Sequence, residues 1–374
     1  MGKKNSKKTG KLLDSTPHRS LDSGQFLPNS NIAELLATQS ETARMPLQKA
    51  LRRASRRAFL WPEEAAHLIK EDRSLTEFSG VGPYLEKLIR GWIKNPPEPP
   101  EPSEIREGFF TLPQARAVLA TKPAWASSLK GDLQMHTQWS DGSGSIAEMA
   151  DAAASRGYEY IAITDHSKGL KIAGGIDEKQ LQQQASEVAT VNENLKSAGQ
   201  RIRVLQSIEL NLDPQGKGDM EEDSLENLDL VLGCFHSALR RKGDQTDRYL
   251  AALRNPAIQI LGHPRGRIYN FRLGLEADWP RVFDLAAKLD KAVEIDAYPD
   301  RQDLSIDLVR LAKKSGCRIS LGTDSHDPSQ LRFIELGLAS ALIAGVKPDR
   351  ILNFLTREEL LTWVATVRGR QRPV

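Results

Sequence analysis

Cysteine is nearly missing: the 374 residues include two, Cys234 and Cys317, far apart and without a CxxC pair. That excludes a disulfide framework and a cysteine zinc knot, and makes a reducing cytoplasm the expected compartment. Long apolar runs are missing as well. No stretch approaches the roughly 18 apolar residues that a membrane span needs, and the Lys-rich start has no apolar run behind it to form a signal peptide. Neither a membrane span nor a membrane partner is expected. A strong charge of one sign is also lacking overall, the net charge being +3, yet residues 1–100 hold 17 Lys/Arg against 11 Asp/Glu and the remainder 35 against 38. The basic surplus therefore sits at the N-terminal end of a chain long enough for a large core and two or three domains.

Residues 1–30 are polar, rich in Lys, Ser and Gly, and without apolar periodicity, which reads as a disordered basic tail. Residues 31–95 then show apolar residues three or four apart in IAELLATQ, PLQKALRRASRRAFL and PEEAAHLI, the pattern of a small all-helical domain. It closes with LTEFSGVGPYLEKLIRGW, where Gly80 and Gly82 flank Val81 between two helical segments as in a helix-hairpin-helix. Such glycines let the backbone approach a phosphate, and the helix that follows turns its amides and positive dipole end toward the anion. Arg52, Arg53, Arg56 and Arg57 would add attraction to a nucleic-acid backbone that is independent of sequence. A Gly-x-Gly turn is often only a tight turn, and an arginine-rich face is often only solvated. DNA contact through Gly80, Val81, Gly82 and these four arginines is nevertheless the expectation.

The Pro/Glu-rich stretch at residues 96–104 can form neither helix nor sheet and should act as a semi-rigid spacer. Residues 105–130 look like a short helical lead-in. From residue 131 to 374 short apolar runs (YIAIT, RVLQSIEL, LDLVLGCF, IQILG, AVEID, RISLG) alternate with amphipathic helical segments. This alternation implies parallel strands, and six or seven units favour a closed α/β barrel over an open sheet.

Histidine is scarce, yet five of the seven in the chain directly follow apolar runs. The strand ends read QMH (134–136), TDH (164–166), SIEL with Glu209, CFHS with His236, GHP with His263, and GTDSH with Asp324 and His326. In parallel α/β folds these C-terminal ends converge on one face. Residues i and i+2 of a strand share a side, so Gln134 with His136, and Asp324 with His326, can reach one pocket. One such histidine is more often a core or surface residue than a ligand. Five at strand ends point to a metal site.

GDLQMHTQWSDG, AITDHSKGLKIAGG, the lone Glu209, His236 and His263, and GTDSH resemble the PHP family (polymerase and histidinol phosphatase). ITDHSKGLKIAGGIDEKQL and LGHPRGR are similar to the PHP domain of bacterial X-family DNA polymerases, and the helical block resembles the DNA-binding domain that opens those enzymes. The resemblance implies a distorted (β/α)7 barrel with a trinuclear metal site. A first metal would be held by Gln134, His136, Glu209 and Asp324, a second by Glu209, His236 and His263, and a third by Asp141, His166 and His326. Two or three divalent ions, manganese, zinc or iron, suit these mixed imidazole and carboxylate groups and the hydrolysis of phosphoesters. Glu209, His236 and Asp324 would carry the reaction. Asp165 would either orient a ligand or serve as a strand-end turn residue, and Lys168, Arg265 and Arg267 could bind the substrate phosphate.

Two departures from the family pattern matter. Its first motif normally reads His-x-His, whereas here the first member is Gln134, whose amide oxygen is neutral and a weaker zinc ligand than imidazole. The polymerases hold their nucleotide metals with an Asp-x-Asp pair, which is absent here, so no polymerase activity is expected and a separate DNA polymerase becomes a candidate partner. The expected function is a metal-dependent 3′–5′ exonuclease or related phosphodiesterase acting on DNA, with a role in DNA repair. The alternatives are a phosphomonoesterase of the histidinol-phosphatase kind and a catalytically impaired DNA-binding or scaffold module.

Overall fold

The computed structural model describes residues 26–369, so most of the basic tail expected over residues 1–30 lies outside the described residues. Four helices build the N-terminal unit: α1 (Asn29–Thr42), α2 (Leu47–Ala58), α3 (Ala65–Lys70) and α4 (Pro83–Lys94). In α2, Leu51, Ala54, Ser55 and Ala58 recur at helical spacing and are buried, which leaves Arg52, Arg53 and Arg56 exposed on the other side. The turn before α4 depends on Gly80, whose φ of 85° is left-handed. Leu36, Leu51, Trp61, Leu68, Leu75 and Ile89 form the core of this unit.

Seven parallel strands follow: β1 (Gly131–Asp132), β2 (Tyr160–Ile163), β3 (Arg203–Asn211), β4 (Leu230–Cys234), β5 (Ile260–Leu261), β6 (Ala292–Asp296) and β7 (Arg318–Gly322). They lie side by side in chain order. The chain just past β1 closes the ring against β7 and its extension, with Leu133 N donating to Leu321 O (3.4 Å), Asp324 N to Gln134 O (3.1 Å) and His136 N to Ser325 O (2.7 Å). The fold is therefore a (β/α)7 barrel. Alternation along each strand sorts the side chains: in β4, Leu230, Leu232 and Cys234 belong to the interior cluster while Val231 packs outward. Leu360, Trp363, Val364 and Val367 of the last helix (Arg357–Gly369) pack into that interior cluster with Tyr160, Leu230 and Ile260. No described helix is long and apolar enough to cross a membrane.

The two units are docked through specific contacts. Arg106, just after the Pro/Glu stretch, is buried and pairs with Glu34 of α1 at 2.6 Å, and it also donates to Asn270 Oδ1 at 3.3 Å. Tyr269, in the loop after β5, is 1% exposed inside the core of the helical unit, and its hydroxyl lies 3.1 Å from Ser55 Oγ on α2.

Candidate metal centre

Glu209, which β3 presents to the barrel interior, is completely buried, and four imidazoles surround its carboxylate. Its Oε1 lies 2.8 Å from His236 Nε2 and 2.7 Å from His263 Nε2. Its Oε2 lies 3.3 Å from His136 Nε2 and 3.4 Å from His166 Nδ1. His136 Nε2 also meets Asp324 Oδ1 at 2.9 Å. On the outer side, Asp141 Oδ1 lies 3.5 Å from His166 Nε2 and 3.4 Å from His326 Nε2. Eight of the nine sequence-predicted ligands thus fall into groups whose donor atoms are close enough to share an ion. Gln134, the ninth, touches the same cluster through Nε2, which donates to Glu209 Oε2 at 3.2 Å.

Electrostatics bind the cluster together. Burial alone would raise the Glu209 carboxyl, but His166, His263 and His236 outweigh it and hold it well below the usual carboxylate range. Burial disfavours charge on His263, yet the attraction of Glu209 prevails and lifts it to about 10. His166 is driven the other way, to about 3, because burial and its imidazole neighbours dominate. Such proton sharing among convergent donors is the condition in which a cation can replace protons. Three buried atoms of the predicted ligands, Gln134 Oε1, His136 Nδ1 and His166 Nδ1, have no hydrogen-bond partner. Imidazole nitrogens, carboxylate oxygens and one orphaned amide oxygen form a donor set that fits divalent transition metals.

The remaining predicted residues are distributed differently. Asp165 is buried and accepts from Thr137 N, Thr137 Oγ1, Ser140 Oγ and Gln184 Nε2. It ties down the loop that runs from His136 to Asp141, two of the candidate ligands. Lys168 pairs with Glu178 at 2.7 Å, and Arg265 donates to Leu275 O. Arg267 is buried over the Phe109 ring and donates to the carbonyls of Glu107 and Gly108, so its guanidinium is engaged with the lead-in segment instead of facing the cluster. Val81 is 6% exposed and anchors its turn in the helical core, while the space above Gly82 is open.

Residues that were not singled out in the sequence also reach this face. Arg301 contacts Asp324 and lies 3.6 Å from Asp296 Oδ2. Glu294 and Asp296 share the inner side of β6, and burial lifts the Glu294 carboxyl to about 8. Cys234 lies beside Glu209 and His263. The sign in the sequence was AVEID itself, a strand with acids at i and i+2 and no histidine.

A parallel barrel whose strand ends gather histidines and carboxylates around one buried carboxylate defines a metal-dependent phosphoester hydrolase. Residues 132–300, most of the barrel, match the PHP domain family. Among curated relatives, the chain is 35% identical over 226 residues to the DNA polymerase/3′-5′ exonuclease PolX of Bacillus subtilis (strain 168), an alignment covering 60% of this chain but 39% of that protein. It is 27% identical over 222 residues to a probable phosphatase of Thermoanaerobacter sp. (strain X514), covering 56% of this chain and 83% of the relative. A solved structure of histidinol phosphate phosphatase from Lactococcus lactis, complexed with zinc, L-histidinol and phosphate, aligns at 18% identity with a TM-score of 0.46, covering 58% of this chain and 94% of the other.

Proposed function

We propose that the protein is a 3′–5′ exonuclease or closely related phosphodiesterase acting on DNA. The observation that carries this reading is the docking of the basic helical unit against the loop after β5, which leaves from the ligand-bearing strand ends. An arginine-rich helix beside the metal centre suits a polyanionic substrate better than a small monoester. The similarity to PolX over the PHP region, a relative named for 3′-5′ exonuclease activity, supports the same reading.

Bound metals would supply an activated water and neutralise phosphoryl oxygens. Gln134, His136, Glu209 and Asp324 would hold the first, Glu209, His236 and His263 the second, and Asp141, His166 and His326 the third. The chain itself contributes alignment. Glu209 sets two donor groups within the span of one carboxylate, and Asp165 fixes the loop that carries Asp141. Arg301, held by Asp324 and Asp296, keeps a guanidinium beside the cluster where it can receive a phosphoryl oxygen.

With Mn²⁺ present, the pure protein is expected to shorten a 5′-labelled single strand from its 3′ end, and chelation should stop it. His236→Ala should lower the rate at least about a hundredfold, in line with loss of an essential ligand interaction. Equal shortening by this variant, or turnover of a small phosphate monoester but no oligonucleotide, would overturn the reading.

A further inference from the structure

We propose that the helical unit is a fixed guide for a single DNA strand, leading it from the Gly80–Gly82 turn, along the arginines of α2 and over Tyr298, to the metal centre. This rests on the DNA reading above and adds the kind of strand and its path.

The path is assembled from three contacts. At its outer end, Arg57 Nη1 donates to Ser79 Oγ at 2.5 Å, and a Cβ placed on Gly80 would lie 2.7 Å from Arg57 Cδ. The hairpin turn and the arginine face of α2 are therefore one surface. The middle is a groove of about 560 Å³ in which Lys49, Arg52, Arg53 and Arg56 face Tyr298 and Asp300 of the loop after β6. With Arg57, which also lines it, five cations confront a single carboxylate. That balance fits a polyanion, because each phosphate neutralised by Lys or Arg releases condensed counterions. At the inner end, the Tyr298 ring stands edge-on to His326, with centroids 6.3 Å apart, and is braced by Phe333 at 5.4 Å.

Two further bonds fix the groove's walls relative to each other. Tyr269 N donates to Asp300 O at 2.7 Å, while the Tyr269 hydroxyl meets Ser55 Oγ on the inner side of α2. The spacing between arginines and tyrosine is thus set before a substrate arrives. A basic channel that ends in an aromatic ring is the arrangement that binds single strands, where phosphates follow the cations and an unpaired base stacks on the ring. A duplex keeps its base faces covered and offers Tyr298 nothing to stack on.

The test uses the full chain with Mn²⁺ and single strands of increasing length. KM should fall with length until the strand spans the groove, then level off. In Arg52→Gln/Arg56→Gln, KM for a long strand should rise about tenfold, and the salt slope of binding should shrink by ~0.7 per lost contact. Hydrolysis of bis(p-nitrophenyl) phosphate should drop far less. Tyr298→Leu should raise KM for long strands, and Tyr298→Phe, which keeps the ring, should restore it. KM independent of length, equal losses on the small diester, or a preference for duplex would overturn the path while leaving the exonuclease standing. If the wild type hydrolyses the small diester but leaves every strand intact, the DNA reading falls and the path with it.

Discussion

Gln134 is the one member of the ligand set whose side chain carries no charge and cannot titrate. Its Nε2 already serves Glu209, and its buried Oε1 has no partner. A Cβ on Gly322 would meet that Oε1 at 2.9 Å and Glu294 Oε1 at 2.3 Å, so two orphaned oxygens face the same small space. An imidazole binds zinc more strongly than a neutral amide oxygen does. Gln134→His is therefore expected to tighten the first metal by about tenfold, within the range seen for ligand-shell changes, measured by competition with a chromogenic chelator. Unchanged metal content and affinity would show that the amide oxygen already serves as ligand. The backbone adds a second residue-scale point: Asp324, a candidate ligand, has a left-handed φ of 51°, a conformation usually kept only where surrounding structure enforces it. Nothing in GTDSH announces that strain.

At the scale of single elements, β6 is entered through an unusual residue. Lys291 is completely buried, its Nζ donating to Asn255 O at 2.6 Å beyond the end of helix Thr246–Arg254, and burial lowers its pKa to about 7. A lysine depressed on folding weakens the native state wherever the unfolded chain is protonated, because the fold must then either give up the proton or bury the charge. The penalty is absent above the unfolded value near 10.5, grows as pH falls toward 7, and is constant below that. Lys291→Met should consequently gain stability relative to wild type on going from pH 10 to pH 7, by on the order of 1 kcal/mol or more. Urea unfolding at the two pH values measures it. A difference between the proteins that does not change with pH would mean that Lys291 stays charged in the fold. Elements also show what was legible beforehand. The apolar runs YIAIT, LDLVLGCF, AVEID and RISLG each contain a strand, because a strand covered on both faces needs continuous apolar sequence. The strands ahead of QMH and GHP are only two residues long, and the candidate ligands His136 and His263 lie just beyond them, on backbone held by adjacent segments.

Across the whole molecule, the helical unit and the barrel share a boundary that the Pro/Glu stretch concealed. A spacer of that composition suggests two bodies held apart, yet the residues that follow it turn back and dock. Arg106 and Glu34 are 8% and 7% exposed, and removing Arg106, which also reaches Glu41 at 2.9 Å, leaves the Glu34 carboxylate buried without its partner. Arg106→Ala should cost about 3 kcal/mol in urea unfolding and expose the stretch after residue 96 to proteolysis. A loss under about 0.5 kcal/mol, the size of an exposed pair, would mean that water reaches this contact.

Strand-helix alternation and the residues at the strand ends made a parallel barrel and a convergent cluster of histidines and carboxylates legible, because side-chain alternation along a parallel strand ties the interior to local sequence. Arg301, Glu294 and Tyr298 became part of the site only through tertiary structure, since they lie on or just past β6, a strand with no histidine to mark it. The same holds for the joining of Gly80, Arg57 and the metal centre into one surface. That surface depends on Tyr269 packing into a core formed by residues about two hundred positions earlier, a pairing set by shape and burial rather than by any local pattern.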